Sequence, residues 1–481
     1  MAAAPTPYSR WLTLGSVGLG VAIGPLDSAV NIAFPAITAA FSIPLPDIQW
    51  VIICYALTYA SLLLVFGRLG DIVGHRRVFV FGLSWSVISF VLCGMAPTFG
   101  WFLLFRGLQG VGTALVLSCG PALVTLAFSE EERGKILGLY NMLFAIAHAL
   151  GPLTGGLLVT RWGWSAVYYF RAPLALLSAI LLLILGPPAT RVKDGQRFDI
   201  PGAIALTFTL VSFLLGFNRA QHLGWLSGSA LLLYGLACGS LAFFVWHETH
   251  SAEPVIDLGL FRQAAFSIAN IAHILANAAS FTIFLVVPFY LLNYYRASTT
   301  AGGFLLALSP LGVVVASPVS GWLLSRFSAR NLSTFGLLTI AAGLGGISLW
   351  REDTALLLIA GSLGVQGCGL GLFLVANMNF VMGVIPRTQQ GVAGSLTVLT
   401  RTIGVVGCAT VGALTIDLLR LHYIIRLQAT AIPGADLDVQ AFVLAFQWLF
   451  RGAAVVAAVA AGFMWSSRFA SRPGRVHSAF S

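Results

Sequence analysis

Apolar stretches of about twenty residues recur along the whole chain, separated by short polar breaks. Each stretch is long enough to cross a hydrocarbon layer of about 30 Å as a helix. We therefore expect an all-α integral membrane protein. The predicted spans cover residues 12–38, 48–66, 78–96, 101–127, 134–160, 164–186, 200–218, 226–246, 264–292, 300–325, 331–349, 355–382, 390–418 and 441–466, which makes 14 transmembrane helices.

Polar breaks at residues 191–199 and 246–262 divide these spans into groups of six, two and six. The grouping predicts two six-helix bundles with two extra central helices between them. The predicted parts are a cytoplasmic N-terminus at 1–11, an N-terminal six-helix bundle at 12–187, a linker with two extra transmembrane helices at 188–259, a C-terminal six-helix bundle at 260–466 and a cytoplasmic tail at 467–481.

The distribution of basic residues predicts the orientation in the membrane. Arginine and lysine concentrate in alternate loops, and basic loops stay on the cytoplasmic side. An even number of spans places both termini on that side, in a multi-pass protein of the plasma (inner) membrane. The net charge of +10 is explained by these loops and indicates no nucleic-acid partner.

Composition excludes an ordinary soluble domain. The chain is 58% hydrophobic and 9% charged, whereas globular domains carry about 25% charged residues. The six cysteines stand singly in apolar runs, without metal-ligand spacing, so we predict no metal site. The short polar start lacks a cleavage-site pattern, which favours a retained first span over a signal peptide.

The segment Gly67–Arg77 joins the second and third predicted spans and reads G-R-L-G-D-I-V-G-H-R-R. Its charges and glycines predict a tight cytoplasmic loop. A weaker copy, Gly321–Arg330, begins near the end of the tenth span and has Ser325 at the position of the acid. This repeat indicates a duplicated bundle. The candidate gate residues are Gly67, Arg68, Gly70, Asp71, Gly74, Arg76 and Arg77.

Two of the charged residues inside predicted spans stand out, one in the first span and one in the fourth. Asp27 in the first span is costly to bury when ionised, so we expect it to face a cavity or a partner. Arg106 in the fourth span keeps its proton and must also be paired or hydrogen-bonded. A packing role is the alternative for each residue, and the sequence does not show whether they approach one another.

These segments resemble motifs of one transporter family. Gly67–Arg77 resembles the G-x-L-a-D-r-x-G-r-(r/k) signature of the major facilitator superfamily. Leu26–Pro35 resembles l-D-x-T-x-v-N-x-A-l-P of its fourteen-span drug:proton antiporters, with Ser28 and Ala29 departing from the pattern. Arg106–Gly112 resembles R-x-x-Q-G-x-g of proton-coupled members. The resemblance implies a major facilitator fold and proton coupling through Asp27 and Arg106.

The fifth span resembles the antiporter signature g-x8-G-x3-G-P-x2-G-G, with Ala147 replacing one glycine. Glycine and proline in a membrane helix allow bending and close packing. In the resembled family this motif accompanies exporters rather than importers. Its residues here are Gly138, Gly151, Pro152, Gly155 and Gly156.

Other polar residues inside spans are candidates for a substrate cavity. They are Asn31, Gln109, His148, His273, Asn277, Asn377 and Arg401. The two histidines fit equally a neutral packing role. Arg171 stands where the resembled family has Asn, as a substrate feature or at the outer interface. With one mid-span acid, the cavity is expected to suit neutral, amphipathic or weakly anionic compounds rather than dications.

The sequence thus predicts a proton-coupled secondary transporter that exports small, amphipathic drugs or metabolites by alternating access. Its partners would be the substrate, protons and the lipid bilayer; it would act as a monomer with no cofactor beyond the proton gradient. A proton-coupled importer and a dedicated exporter of one secondary metabolite remain alternatives. An enzyme is not expected, because His247–His250 lacks the H-E-x-x-H spacing that zinc requires.

Overall fold

The computed structural model describes residues 7–128, 133–185, 200–224, 226–250, 258–351, 353–384, 390–428 and 437–470. Regular structure within these ranges is entirely helical. The first group of helices is α1 (Pro7–Ala22), α2 (Ala29–Phe41), α3 (Gln49–Val73), α4 (His75–Gly94), α5 (Phe99–Ala127), α6 (Arg133–Trp162), α7 (Ala166–Tyr169) and α8 (Arg171–Leu185).

Two central helices and a second group complete the described structure. The central pair is α9 (Ile200–Leu223) and α10 (Gly228–His250). The second group is α11 (Ala264–Phe289), continued by a π-helical turn at Tyr290–Tyr294, then α12 (Thr299–Leu323), α13 (Ala329–Ile347), α14 (Leu356–Val384), α15 (Gln390–Gln428) and α16 (Leu437–Ala470). The polar break predicted at residues 191–199 lies outside the described residues.

The prediction of an all-helical membrane protein is confirmed, whereas the predicted number of fourteen spans is not. In the described part of the chain, eleven helical stretches are long and apolar enough to cross a membrane. The helices α3, α9 and α13 are not among those eleven. Each predicted span nevertheless coincides with a helix or with a pair of helices in direct succession.

The first predicted span is interrupted, which the expected continuous helix at 12–38 did not foresee. α1 ends at Ala22, and a 3-10 turn at Pro25–Ser28 precedes α2. Pro25 stands at the start of that turn and has no N–H to donate to α1. The membrane helix therefore breaks at the position of its only acid, Asp27.

The expected tight loop over Gly67–Arg77 was wrong. Helix α3 continues to Val73, so Gly67 and Asp71 lie within it, and α4 begins at His75. Gly74 alone joins the two helices, with φ 102°. Only glycine adopts this backbone conformation without steric cost, so the connection depends on this residue.

Glycines in matching positions build the two bundles. Gly82 is the eighth residue of α4, and a Cβ there would lie 3.2 Å from the backbone nitrogen of Val116 in α5. Gly336 is the eighth residue of α13, and a Cβ there would lie 2.7 Å from the backbone nitrogen of Phe373 in α14. Val116 and Phe373 are both the eighteenth residues of their helices. The two bundles therefore share one packing register, as a duplication requires.

The bundles meet mainly along three helix pairs, α2 with α11, α3 with α15, and α6 with α12, and α2 also contacts α12. The central helices α9 and α10 pack against each other, and α9 also contacts α3 and α15. Buried apolar residues of both bundles join in one core. The space enclosed between these pairs holds the site described next.

Candidate functional site

The break in the first span places Asp27 in the wall of a cavity between the bundles. The cavity has a volume of about 160 Å³. Residues of α2, α3, α5 and α6 line one side, and residues of α11, α14 and α15 line the other. The Asp27 side chain is 13% exposed, so the carboxylate is buried but still reaches the cavity.

Arg106 binds Asp27 with both ends of its guanidinium. Its Nη1 donates to Oδ1 at 2.8 Å and its Nη2 donates to Oδ2 at 2.9 Å. Gln109, one turn further along α5, donates from Nε2 to Oδ1 at 2.9 Å. This two-point geometry is the strongest common form of the arginine–carboxylate pair. The proximity of Asp27 and Arg106, which the sequence left open, is therefore a feature of the structure.

A second arginine joins the same carboxylate. Arg171, the first residue of α8, donates from Nη1 to Oδ1 of Asp27 at 2.6 Å and is fully buried. Sequence reasoning listed Arg171 among the basic residues but did not place it at this site. The available signal was an arginine replacing the asparagine of the resembled family at the start of an apolar helix. Three helical segments that are distant in sequence thus converge on one acid.

Backbone carbonyls and aromatic rings fix both arginines. Arg106 donates from Nε to the carbonyl of Val51 at 2.9 Å, and its guanidinium lies 4.5 Å from the ring centroid of Tyr55. Arg171 donates from Nε to the carbonyl of Val167 at 3.0 Å and lies over Phe90. Such contacts hold a guanidinium in one orientation away from water. The cluster is therefore preorganised.

The cluster carries more positive than negative charge. Two guanidinium groups share one carboxylate, and Asp27 is the only acid among the described residues that line the cavity. The Nη2 of Arg171 is buried and has no hydrogen-bond partner among the described residues. In a low-dielectric interior this imbalance is costly, and such sites are functional by default in membrane proteins.

The polar residues predicted for the cavity separate into two sets. Asn31, His148, Asn277 and Arg401 line it. Gln109, His273 and Asn377 do not line it, although all three are buried. The Nδ1 of His273 lies 2.8 Å from the hydroxyl of Thr400, and Asn277 donates to the backbone carbonyl of His273 at 2.8 Å.

The glycines of α6 bring three helices into contact. A Cβ on Gly151 would collide with Ser28, and a Cβ on Gly155 would lie 2.7 Å from the carbonyl of Ala29. A Cβ on Gly156 would lie 2.7 Å from the carbonyl of Thr299 in α12, across the boundary between bundles. The surroundings of Gly138 lie outside the described side chains.

Pro152 completes this seam from the other side. Its carbonyl faces Gly303 of α12, where a Cβ would collide with it. The α6 helix therefore touches the broken first span with one face and the second bundle with another. The four positions Gly151, Pro152, Gly155 and Gly156, with Gly303, are called the glycine seam below.

The predicted gate residues are only partly described. Gly70 packs so closely that a Cβ would lie 2.5 Å from Nδ1 of His75, and Arg76 donates from Nη2 to the carbonyl of Leu183 at 2.7 Å. The Arg77 side chain is exposed. The side chains of Arg68 and Asp71 lie outside the described residues.

Known proteins share this sequence and fold. A curated relative, the tetracenomycin C resistance and export protein of Streptomyces glaucescens, is 30% identical over 84% of this chain and 76% of its own length. The multidrug resistance protein Stp of Mycobacterium tuberculosis is 29% identical over 84% and 76%. The riboflavin transporter RibZ of Clostridioides difficile is 28% identical over 82% and 85%.

The fold also matches solved transporters. A bacterial homologue of the human lysosomal transporter Spinster, in an inward-facing and unoccupied conformation, aligns with a TM-score of 0.69 at 17% identity, covering 97% of this chain and 98% of that one. The Major Facilitator Superfamily sequence model matches residues 17–269 and again residues 269–480. The predicted family and its duplication are thus confirmed: the chain belongs to the Major Facilitator Superfamily, a family of membrane transporters rather than enzymes.

Proposed function

We propose that this protein is a proton-coupled exporter of small amphipathic compounds that works by alternating access. The main observation in support is the position of Asp27, an acid bound by two arginines in the wall of a cavity between two bundles. Midplane sites at the interface of repeats, formed by broken helices, are typical of secondary transporters. Two relatives, one named as a multidrug resistance protein and the other as a tetracenomycin C resistance and export protein, support export.

Asp27 is the proposed proton carrier. A proton on its carboxylate removes the charge that holds Arg106 and Arg171, so protonation and cluster geometry are coupled. In the proposed cycle Asp27 takes a proton from outside as substrate leaves and releases it to the cytoplasm. Gln109 would remain as a hydrogen-bond donor to the acid in both states.

The glycine seam is the proposed contact that opens and closes. The backbones of α6 and α12 lie in close contact at Gly156 and Gly303. The distribution of basic loops predicts that this contact lies in the outer half of the membrane. Rocking of the bundles about the cavity would separate α6 from α12 there. The gate residues Gly67–Arg77 would hold the cytoplasmic half, where Arg76 already binds the end of α8.

The proposed membrane arrangement has fourteen spans, with bundles at 12–187 and 260–466 joined by two central helices. Both termini would be cytoplasmic, because the basic loops and the even count place them on one side. We propose that one chain suffices for transport, since both faces of the cavity come from the same polypeptide.

Import is the second candidate direction, because one relative is named as a riboflavin transporter, a name that states no direction. The same scaffold supports either direction, and the arguments for export are the glycine motif on α6 and the names of two relatives. The test of function must therefore report direction as well as coupling.

The test is proton-driven exchange in proteoliposomes with an acidic interior. Ethidium, tetracenomycin C and riboflavin are added outside, and a trapped pH-sensitive dye reports proton release. Export by antiport predicts that substrate addition dissipates the gradient in the wild type and not in Asp27→Asn. The matched control is Asp438→Asn, which removes an exposed acid paired with Arg420 outside the cavity.

Three results contradict parts of the proposal. Full coupling in Asp27→Asn places the proton carrier elsewhere. Uptake of substrate in the same direction as the proton makes the protein an importer. If none of the three compounds dissipates the proton gradient in the wild type, the proposed proton coupling is contradicted.

A further inference from the structure

The cavity holds one charge that the proton-coupling cluster does not neutralise. Asp27, Arg106 and Arg401 are the Asp, Glu, Lys or Arg side chains among its described lining residues. Asp27 is fully engaged by Arg106, Arg171 and Gln109. Arg401, on α15, forms no hydrogen bond or ion pair with the described residues. A guanidinium in a membrane cavity needs such a partner, so its absence is unusual.

Among the described residues of the second bundle, no acid is placed to supply that partner. Asp417 follows Arg401 by sixteen residues on the same helix, about 24 Å along its axis. Asp438 is bound to Arg420 at the far end of α15. Asp353 lies in the connection before α14, away from the cavity lining.

The surroundings of Arg401 are apolar and aromatic. Phe281 and Phe284 of α11, Leu370 of α14 and Val405 of α15 line the same cavity. Asn277 and Ser280 add neutral polar groups from α11. A cation without a counter-ion beside aromatic walls and neutral polar groups is the arrangement that orients an amphipathic anion, because the ring walls contact the apolar body and the guanidinium binds the charge.

Arg401 also lies next to a contact between the two bundles. Its neighbour Thr402 lies 3.4 Å, hydroxyl to hydroxyl, from Tyr59 of α3 in the other bundle. A ligand held at Arg401 would therefore sit beside the bridge between α15 and α3, whereas the proton site belongs wholly to the first bundle.

We propose that Arg401 is the substrate-recognition residue of this cavity and that it binds the carboxylate of an amphipathic monoanion. The inference rests on the proposed transport function and names its substrate class. The guanidinium would donate two hydrogen bonds to the carboxylate, in the two-point geometry that Arg106 already makes with Asp27. Arg106 is already paired with Asp27, so Arg401 is left as one cation for one anionic group.

The test measures binding of three probes that share one ring system. 1-Pyrenebutyric acid, 1-pyrenebutanol and 1-pyrenebutylamine are titrated into protein reconstituted in phosphatidylcholine nanodiscs, with empty nanodiscs subtracted. The wild type should bind the carboxylate at least tenfold more tightly than the alcohol, and the amine most weakly. Arg401→Gln should bind the carboxylate and the alcohol equally, while Arg401→Lys should keep part of the preference.

Controls separate this proposal from folding and from proton coupling. Arg420→Gln removes a partly exposed arginine from the same helix, outside the cavity, and should leave all three affinities unchanged. Alcohol binding by Arg401→Gln reports that the cavity is intact. Binding needs no gradient, so it decides the substrate class even where proton exchange fails.

Two results overturn the inference. One is a carboxylate preference that survives in Arg401→Gln. The other is a wild-type protein that binds the amine or the alcohol as tightly as the carboxylate, or that binds none of the three.

Discussion

The same glutamine stands in each bundle, but only one has charged neighbours. Gln109 and Gln366 are both the eleventh residues of 29-residue helices, α5 and α14. The surrounding sequences are R-G-L-Q-G-V-G and L-G-V-Q-G-C-G, so Leu363 occupies the position of Arg106. Gln109 binds the buried acid, whereas Gln366 accepts a hydrogen bond from the Ser309 hydroxyl at 2.6 Å.

A similar difference separates the helices that face each other across the cavity. Asp27 lies 22 residues before the start of α3, and Asn277 lies 22 residues before the start of α12. Both line the cavity. The duplicated scaffold thus keeps its glycine register while the acid, with its arginines, occurs in one bundle. The two bundles therefore share their helix packing but differ in their cavity residues. The first bundle carries the charge pair, and the second presents neutral groups and Arg401.

The largest effect should come from forcing charge into the second bundle. Leu363→Arg copies the position of Arg106 into a fully buried site that offers no carboxylate. An uncompensated buried charge costs about 3–5 kcal/mol, so the variant should fail to give a monodisperse protein or should melt far below the wild type. Leu363→Met is the matched control, and thermal unfolding in detergent is the measurement. A variant that melts like the wild type would contradict the comparison.

The reverse exchange should spare the fold and remove coupling. Arg106→Leu leaves Asp27 paired with Arg171, so no carboxylate is left alone in the interior. We expect the rate of substrate-driven proton release to fall about tenfold or more, which corresponds to roughly 1.4 kcal/mol. The measurement is dye-reported gradient dissipation at matched protein content. Unchanged coupling would mean that Arg171 alone suffices, and that Arg106 serves packing.

An alanine in the glycine seam should shift the balance of conformations. Gly156→Ala places a methyl group against the backbone of Thr299, and such overpacking costs about 1–3 kcal/mol. The cost falls only on the state in which α6 and α12 touch. We expect faster labelling of a single cysteine introduced at Thr300 by a membrane-impermeant maleimide, in a chain whose native cysteines are replaced by alanine.

Gly361→Ala controls for loss of a helical glycine, because a Cβ there meets nothing within 4 Å. Equal labelling rates in the two variants would exclude the seam as the moving contact.

The smallest effect should come from the uncharged glutamine. Gln366→Leu removes one neutral hydrogen bond with Ser309, worth about 1 kcal/mol. A small drop in melting temperature with unchanged proton release is expected, whereas Gln109→Leu should reduce proton release because it removes a donor to Asp27. Equal losses of coupling in both variants would show that the bundles contribute alike.

Hydropathy predicted the helices well, because each apolar stretch must satisfy its backbone internally once it lies in lipid. It failed where the chain departs from that rule locally. The break at Pro25–Ser28 and the continuation of α3 to Val73 depend on the capping and packing of single residues. A pattern averaged over about twenty residues does not resolve such features.

The site was predicted in part. Asp27 and Arg106 stood out because charge inside a span is expensive, and the motif spacing added Gln109. Arg171 was visible as an anomaly, but its distance of 144 residues from Asp27 along the chain hid their contact. Which polar side chains reach the cavity was not predictable either, since helix rotation decides that Arg401 lines it and Asn377 does not.

The surplus positive charge around Asp27 has a consequence for how tightly the membrane stays sealed. A cation entering the cavity would meet Asp27 and Arg106 in its wall, with the guanidinium of Arg171 buried behind them, so that two positive groups face one carboxylate. A fixed arginine in a narrow pore is a barrier to cation permeation. If the proposed alternating access holds, this surplus of positive charge would disfavour the passage of other cations through the cavity, and Arg171 would contribute to the barrier from its buried position behind Asp27.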